Sequence, residues 1–185
     1  MKISDADIVT PSLVVDRGRL AANIQRLRQR YEGHAVVLRP HLKTVKAIEP
    51  ARMAMPAAHG PAAVSTLREA EEFGRLGISD LLYAVGIAPQ KLERVVALHR
   101  EGIDLKIITD NVAAAEAIAA ASKAHGVRIP TLIELDVDGH RSGVAFGETE
   151  NLLAVGRILH TANCLEGVMT HAGESYALSD SAALA

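Results

Sequence analysis

The sequence has one cysteine and no tryptophan, and aromatic residues make up only 3% of its 185 positions. A lone Cys164 excludes an internal disulfide and a cysteine-rich zinc site. So few rings exclude the stacking platforms on which single-stranded nucleic acids bind. Neither sign of charge predominates: 20 Lys and Arg face 22 Asp and Glu, a formal net charge of −2. That balance lacks the basic footprint a nucleic-acid partner needs. No apolar run reaches the length of a membrane span. The acidic opening Met1-Lys2-Ile3-Ser4-Asp5 also lacks the apolar core of a signal peptide. The expectation is a soluble, cytoplasmic protein with no nucleic-acid or membrane partner. Apolar residues are plentiful at 49%, enough for one domain of ordinary size with a substantial core.

Short β-rich runs alternate with amphipathic stretches along the chain. A lead-in strand is expected at 12–16, followed by a helix at 17–32 in which Leu20, Ile24 and Leu27 recur at helical spacing. Six β/α steps follow, with strands at 35–43, 62–67, 80–85, 105–109, 131–138 and 165–171. Helices are expected at 47–57, 68–76, 90–101, 111–125 and 148–161. Asp110 or Asn111 suits the N-cap of the fourth of these, and Gly77, Gly102 and Gly126 stand where C-terminal glycine caps belong. Such alternation implies parallel pairing through right-handed crossovers, in an open doubly wound sheet or a closed barrel. A complete eight-stranded barrel takes about 250 residues. Six steps therefore suggest an N-terminal piece of something longer, with Asp180 opening a further helix.

Three runs carry ionisable groups at expected strand ends. In Arg39-Pro40-His41-Leu42-Lys43-Thr44, strand alternation puts Arg39, His41 and Lys43 on one face. Charges on a helix-covered parallel sheet are costly unless they line a polar site. An amine desolvated beside other cations sheds its proton more readily, which favours Schiff-base chemistry. Lys46 is offset by an odd number of residues and is expected to point elsewhere. The second run, from Glu134 to Gly143, alternates Glu134, Asp136 and Asp138 with Leu135 and Val137 and ends in a loop bearing His140 and Arg141. An arginine there suits a carboxylate, phenolate or phosphate. The third run, from Gly167 to Tyr176, places His171 at the end of the sixth strand. Cys164 reads as a buried small hydrophobe. No Walker loop, Gly-x-Gly-x-x-Gly fingerprint or Gly-x-Ser-x-Gly elbow occurs.

Together with Thr10-Pro11-Ser12-Leu13-Val14-Val15-Asp16, these runs resemble the fold type III, alanine-racemase-type pyridoxal-phosphate enzymes. Within that group the resemblance is to the D-threonine aldolase and D-serine dehydratase family, and it extends from Thr10 almost to the C-terminus. It implies an α/β fold: a (β/α)8 TIM barrel of the alanine racemase N-terminal type, here with about six of its eight units. Residues 1–185 would be a partial cofactor-binding barrel domain, without the family's C-terminal β-domain. The resemblance further implies pyridoxal 5'-phosphate held by Lys43 as a Schiff base, with Lys43 moving a proton afterwards. Arg141 would orient the cofactor's phenolate. His171 and Tyr176 would approach the ring, with Arg39 and His41 in the same cofactor-binding set and His171 counted with Lys43 as catalytic. A divalent metal is expected in the full-length family, on ligands outside this chain. The implied reaction is cleavage of a D-3-hydroxy amino acid to glycine and an aldehyde, or its elimination to a 2-oxo acid and ammonia. A full-length homodimer is expected, with this chain alone an inactive portion. The alternatives are an amino-acid racemase and a non-catalytic carrier in vitamin B6 homeostasis.

Overall fold

The structure, a computed structural model, describes residues 9–178. Helix α1 (Arg17–Tyr31) starts at Asp16, whose carboxylate accepts the Arg19 N–H at 2.9 Å and so satisfies one of the amides a helix start leaves unpaired. This helix buries no side chain. Arg28 ties it to α2 (Ile48–Ala54) by donating to the carbonyls of Met53 and Met55 at 3.0 and 2.8 Å. A cation belongs there, because the last carbonyls of a helix carry its negative dipole end.

The remaining elements are β1 (Ala62–Val64), α3 (Leu67–Arg75), β2 (Asp80–Gly86), α4 (Leu92–Arg100), β3 (Asp104–Thr109), α5 (Val112–His125), β4 (Thr131–Asp136), β5 (Val144–Ala145), α6 (Thr149–Thr161) and β6 (Leu165–Thr170). Every paired strand is parallel, in the order β1-β2-β3-β4, with β5 and β6 both on β4. Leu135 pairs with Val144 and with Thr170. Since a strand residue has one neighbour on each side, β6 and β5 flank β4, and β5 continues the line of β3. This is the α/β parallel architecture expected, consistent with part of a TIM barrel.

One face of the sheet packs under the helices. Val64, Leu81, Tyr83, Leu105, Ile107 and Ile133 contribute to a core in which helix residues such as Phe73, Val95, Ile118 and Leu159 are also buried. By strand alternation the opposite face carries Ala63, Leu82, Lys106, Ile108, Leu132 and Glu134. Each helix has a local reason to begin and end. Thr66 and Glu69 form a reciprocal capping box on α3. Asn111, rather than Asp110, caps α5 by accepting the Ala114 N–H at 2.9 Å. Gly126 closes α5 in the left-handed region at φ 63°, which glycine adopts without penalty.

Two expected strands do not form. Residues 12–16 are extended but unpaired, with Leu13 almost fully exposed. Between 35 and 43 the only ladder contact is a single parallel bridge from His41 to Ala63, and the chain turns at once over 42–45. Pro40 explains part of this: its carbonyl accepts the Ala63 N–H at 2.9 Å and the Leu42 N–H donates to the Ala63 carbonyl at 2.8 Å, but Pro40 has no N–H to add the preceding bond to β1. Arg39, His41 and Lys43 therefore do not share a strand face. The strands expected at 62–67, 131–138 and 165–171 end early, at Val64, Asp136 and Thr170, and the two-residue β5 was not anticipated. The expected cap at Asp180 lies outside the described residues.

Thr66→Ala removes the acceptor that opens α3. It should cost about 1 kcal/mol of stability, measured as a lowered denaturant midpoint with an unchanged slope.

Candidate active site

Parallel strands bring their C-terminal ends to one edge of the sheet, and the loops that leave them form a mouth there. His41, after its single bridge, meets the loop that leaves β1. Its Nε2 lies 3.3 Å from the Ser65 hydroxyl, and its Nδ1 accepts the Lys43 N–H at 3.2 Å. Accepting that bond commits Nδ1 to its unprotonated form. Burial, and then the Lys43 charge, hold the His41 pKa below its ordinary value, with His171 pushing the same way and Glu69 opposing. Lys43 sits in the turn itself and is exposed, not desolvated as the sequence suggested. Lys46, in the left-handed region at φ 42°, reaches Glu69 at 3.5 Å instead.

The loop after β4 is built on one carboxylate. Asp136, at 8% exposure, accepts the N–H groups of Asp138 and Gly139 on Oδ1, at 3.0 and 2.9 Å, and that of Arg141 on Oδ2 at 3.1 Å. Three charge-assisted bonds to amides of the same loop fix the backbone that presents Arg141. Asp110, just past β3, accepts the Gly143 N–H at 3.2 Å. Gly143 has φ +122°, and a β-carbon there would stand 2.5 Å from the Asp136 nitrogen, so only glycine fits. Asp138 has left the strand. Its Oδ2 crosses to the loop after β6 and accepts the Gly173 N–H at 2.8 Å.

Next to that contact, His171 meets Tyr176 edge-to-face with ring centroids 6.0 Å apart. Tyr176 lies in the 3-10 turn Gly173–Ala177 and is largely exposed. Glu134, at 5% exposure, faces the same space beneath Arg141. Burial pushes its pKa up. The Ser142 side chain opposes that push, Asp110 adds to it, and His171 and Arg141 oppose it.

The His171 charge bears on both His41 and Glu134, so the Lys43 turn and the Arg141 loop open on the same space. His41, Lys43, Arg141, His171 and Tyr176 belong to one mouth. Arg39 does not. Its guanidinium pairs with Asp80 at 2.8 Å and donates to the Ala62 carbonyl at 3.1 Å, at the N-terminal ends of β1 and β2. There it ties the sheet together, as residues at that end of an α/β barrel do. Among the described residues no carboxylate lies within ion-pair distance of the Lys43 amine or the Arg141 guanidinium, and no group of three His, Cys, Asp or Glu is placed to hold a metal ion. Two unneutralised cations, a histidine and a phenol around one mouth suit an anionic, planar ligand such as a phosphorylated pyridine aldehyde. Sequence reasoning missed Asp110 and Ser65. Their signal was weak, each being a small polar residue directly after a strand.

The carboxyl of Glu134 has its pKa raised above the ordinary 4.5, so the folded state holds that proton more tightly than the unfolded chain. Its contribution to stability is present below pH 4.5 and is lost as pH rises through the folded value. The lowered His41 runs the other way: its contribution is present above about pH 6.5 and is lost as pH falls. The difference in unfolding free energy between wild type and Glu134→Gln isolates the first effect. Measured from pH 4 to 8, Glu134→Gln should gain relative to wild type as pH rises. A flat difference refutes the assignment.

Residues 15–183 match the alanine racemase N-terminal domain. The chain is 48% identical over 176 residues to a D-threo-3-hydroxyaspartate dehydratase of Delftia sp. (strain HT23), covering 95% of this chain and 46% of that protein. The solved structure of the dehydratase from Delftia sp. HT23 superposes with a TM-score of 0.89 at 47% identity, over 96% of this chain and 47% of that one. A D-threonine aldolase of Arthrobacter sp is 30% identical over 141 residues, 76% of this chain and 37% of its own length. The chain thus spans about half the length, or less, of the relatives it matches. With this match and this sheet, the chain belongs to the alanine racemase N-terminal domain family.

Proposed function

We propose that this chain is the cofactor-carrying barrel portion of a pyridoxal-phosphate-dependent lyase acting on D-3-hydroxy amino acids. The carrying observation is the mouth itself, where, among the described residues, neither the exposed Lys43 amine nor the Arg141 guanidinium has a carboxylate within ion-pair distance. Lys43 would hold the cofactor covalently through its amine and, once released, move a proton at the substrate's α-carbon. Arg141 would orient the cofactor by donating to its phenolate oxygen. His171 and Tyr176 offer an edge-to-face ring pair that would pack beside a planar ligand. His41, held neutral by burial and by Lys43, adds no further positive charge beside that amine. Arg39 has no part in this set, being engaged by Asp80. When bound, the cofactor supplies an electron sink, and the protein's share is position and electrostatics.

Elimination to a 2-oxo acid and ammonia is the favoured reaction, because the relative at 48% identity is a dehydratase. Cleavage to glycine and an aldehyde is the second reading, supported by relatives that are aldolases at 28–30% identity. The rest of the site would come from outside these 185 residues, including the metal ligands; a D-threo-3-hydroxyaspartate dehydratase variant 47% identical to this chain is solved in a metal-free form. A C-terminal β-domain and a homodimer would complete it. Exposed apolar side chains at Val14, Val37 and Val168 fit a surface that further protein covers.

Borohydride reduction of the full-length protein in the presence of pyridoxal phosphate, followed by peptide mass spectrometry, tests the site. Labelling should be confined to the Lys43 peptide, vanish in Lys43→Ala and persist in Lys46→Ala. Labelling spread over surface lysines would overturn the assignment. Assaying ammonia and glycine from a D-3-hydroxy amino acid, with the full-length protein, separates elimination from cleavage.

A further inference from the structure

Asp136 and Asp138 are both carboxylates of the β4 end, but they do different work. All three hydrogen bonds of Asp136 stay within its own loop. Asp138 reaches across 35 residues of sequence. Its Oδ2 accepts the Gly173 N–H at 2.8 Å and the Glu174 N–H at 3.4 Å, the first two amides of the 3-10 turn Gly173–Ala177. Those amides have no partner inside the turn, so a carboxylate is the natural anchor for them.

The same point of contact involves Arg141. A β-carbon added to Gly173 would lie 3.0 Å from Arg141 Nη1, 3.4 Å from Arg141 Cδ and 3.3 Å from Asp138 Oδ2. The arginine side chain therefore lies along the Gly173 backbone, so closely that a β-carbon there would press on it. Gly173 also donates its N–H toward the His171 carbonyl at 2.9 Å, and the turn it opens carries Tyr176 to the edge of the His171 ring. His140 reinforces the crossing: its Nδ1 lies 2.9 Å from the Asp138 carbonyl and 3.7 Å from the Glu174 carboxylate. One carboxylate thus joins the loop that bears Arg141 to the turn that bears His171 and Tyr176.

We propose that Asp138 is a positioning residue: it clamps the His171–Tyr176 turn against the Arg141 loop and sets the spacing of those three side chains. It acts through Gly173, touching neither ring. The importance of that spacing for cofactor binding rests on the function proposed above, whereas the clamp itself does not.

The test uses the full-length protein, first without added cofactor. In Asp138→Ala, amide hydrogen exchange at Gly173 and Glu174 should accelerate about tenfold or more, the loss expected for a hydrogen bond to a charged group. Asp138→Asn, which keeps a neutral acceptor oxygen, should fall between the two. The nuclear Overhauser contact between the His171 and Tyr176 rings should weaken in the same order. Arg128→Ala serves as control, because it breaks the Arg128–Glu166 pair at 2.6 Å near the other end of β6. It should lower stability while leaving the exchange and the ring contact as they are. Gly173→Ala, with Asp138 intact, should displace Arg141 and weaken pyridoxal-phosphate binding, read by fluorescence titration.

Unchanged exchange and ring contact in Asp138→Ala would overturn the clamp, as would equal changes in Arg128→Ala. If the turn loosens in Asp138→Ala but affinity for pyridoxal phosphate stays at the wild-type value, the positioning role is overturned and the Lys43 assignment stands. If the full-length wild type binds no pyridoxal phosphate, the functional reading fails, and exchange and ring contact still decide the clamp.

Discussion

Parallel pairing is the constraint on which the rest of this structure depends. When every strand runs the same way, every C-terminal end opens at one edge of the sheet, and each crossover helix must return over one face. The apolar face beneath the helices follows from that, and so does the convergence of five loops from distant parts of the sequence. Ser65, Asp110, Arg141 and His171 stand at one edge because they follow parallel strands, and Lys43 joins them through the His41 bridge to β1. An antiparallel arrangement of the same segments would send alternate loops to opposite ends.

Within the mouth, carboxylates act as scaffold and cations are left available. Asp110, Asp136 and Asp138 each spend their charge on backbone amides. An acid bonded to amides fixes a loop without neutralising the arginine that loop presents. At the opposite end of the strands the pattern reverses. Arg39 and Lys106 both pair with Asp80, at 2.8 and 3.5 Å, and Arg128 pairs with Glu166. Charges there satisfy one another and stabilise, whereas charges at the mouth keep capacity for a ligand. This asymmetry between the two ends is the electrostatic counterpart of the sheet's polarity.

Much of this was legible from residue order, and the failures have identifiable causes. Helices α3, α4, α5 and α6 matched their periodicity closely, since amphipathic spacing and caps such as Asn111 and Gly126 act over a few residues. The run from 35 to 43 alternates like a strand, but Pro40 has no N–H to extend the ladder to β1 beyond one bridge. Arg39 was assigned to the mouth on that alternation. Its guanidinium instead answers Asp80, a partner 41 residues away that no local pattern reveals. Asp138 was read as a third in-line acid on β4, although the strand ends at Asp136 because that side chain captures the following amides. The two-residue β5 carries almost no periodic signal of its own.

The sequence by itself determined the alternating α/β class, the helix boundaries, the family resemblance and the residues Lys43, Arg141, His171 and Tyr176 as candidates. These rest on local physics, namely capping, periodicity and motif spacing within a few turns of chain. Only the tertiary structure decided which candidates share a mouth, that Arg39 stands at the other end, and that Asp138 bridges two loops. Those outcomes depend on which strands pair, on the register of that pairing, and on which buried charge finds a partner. Each is a long-range choice, made by burying the common apolar face while leaving few charges unpaired, and no short window of sequence contains it.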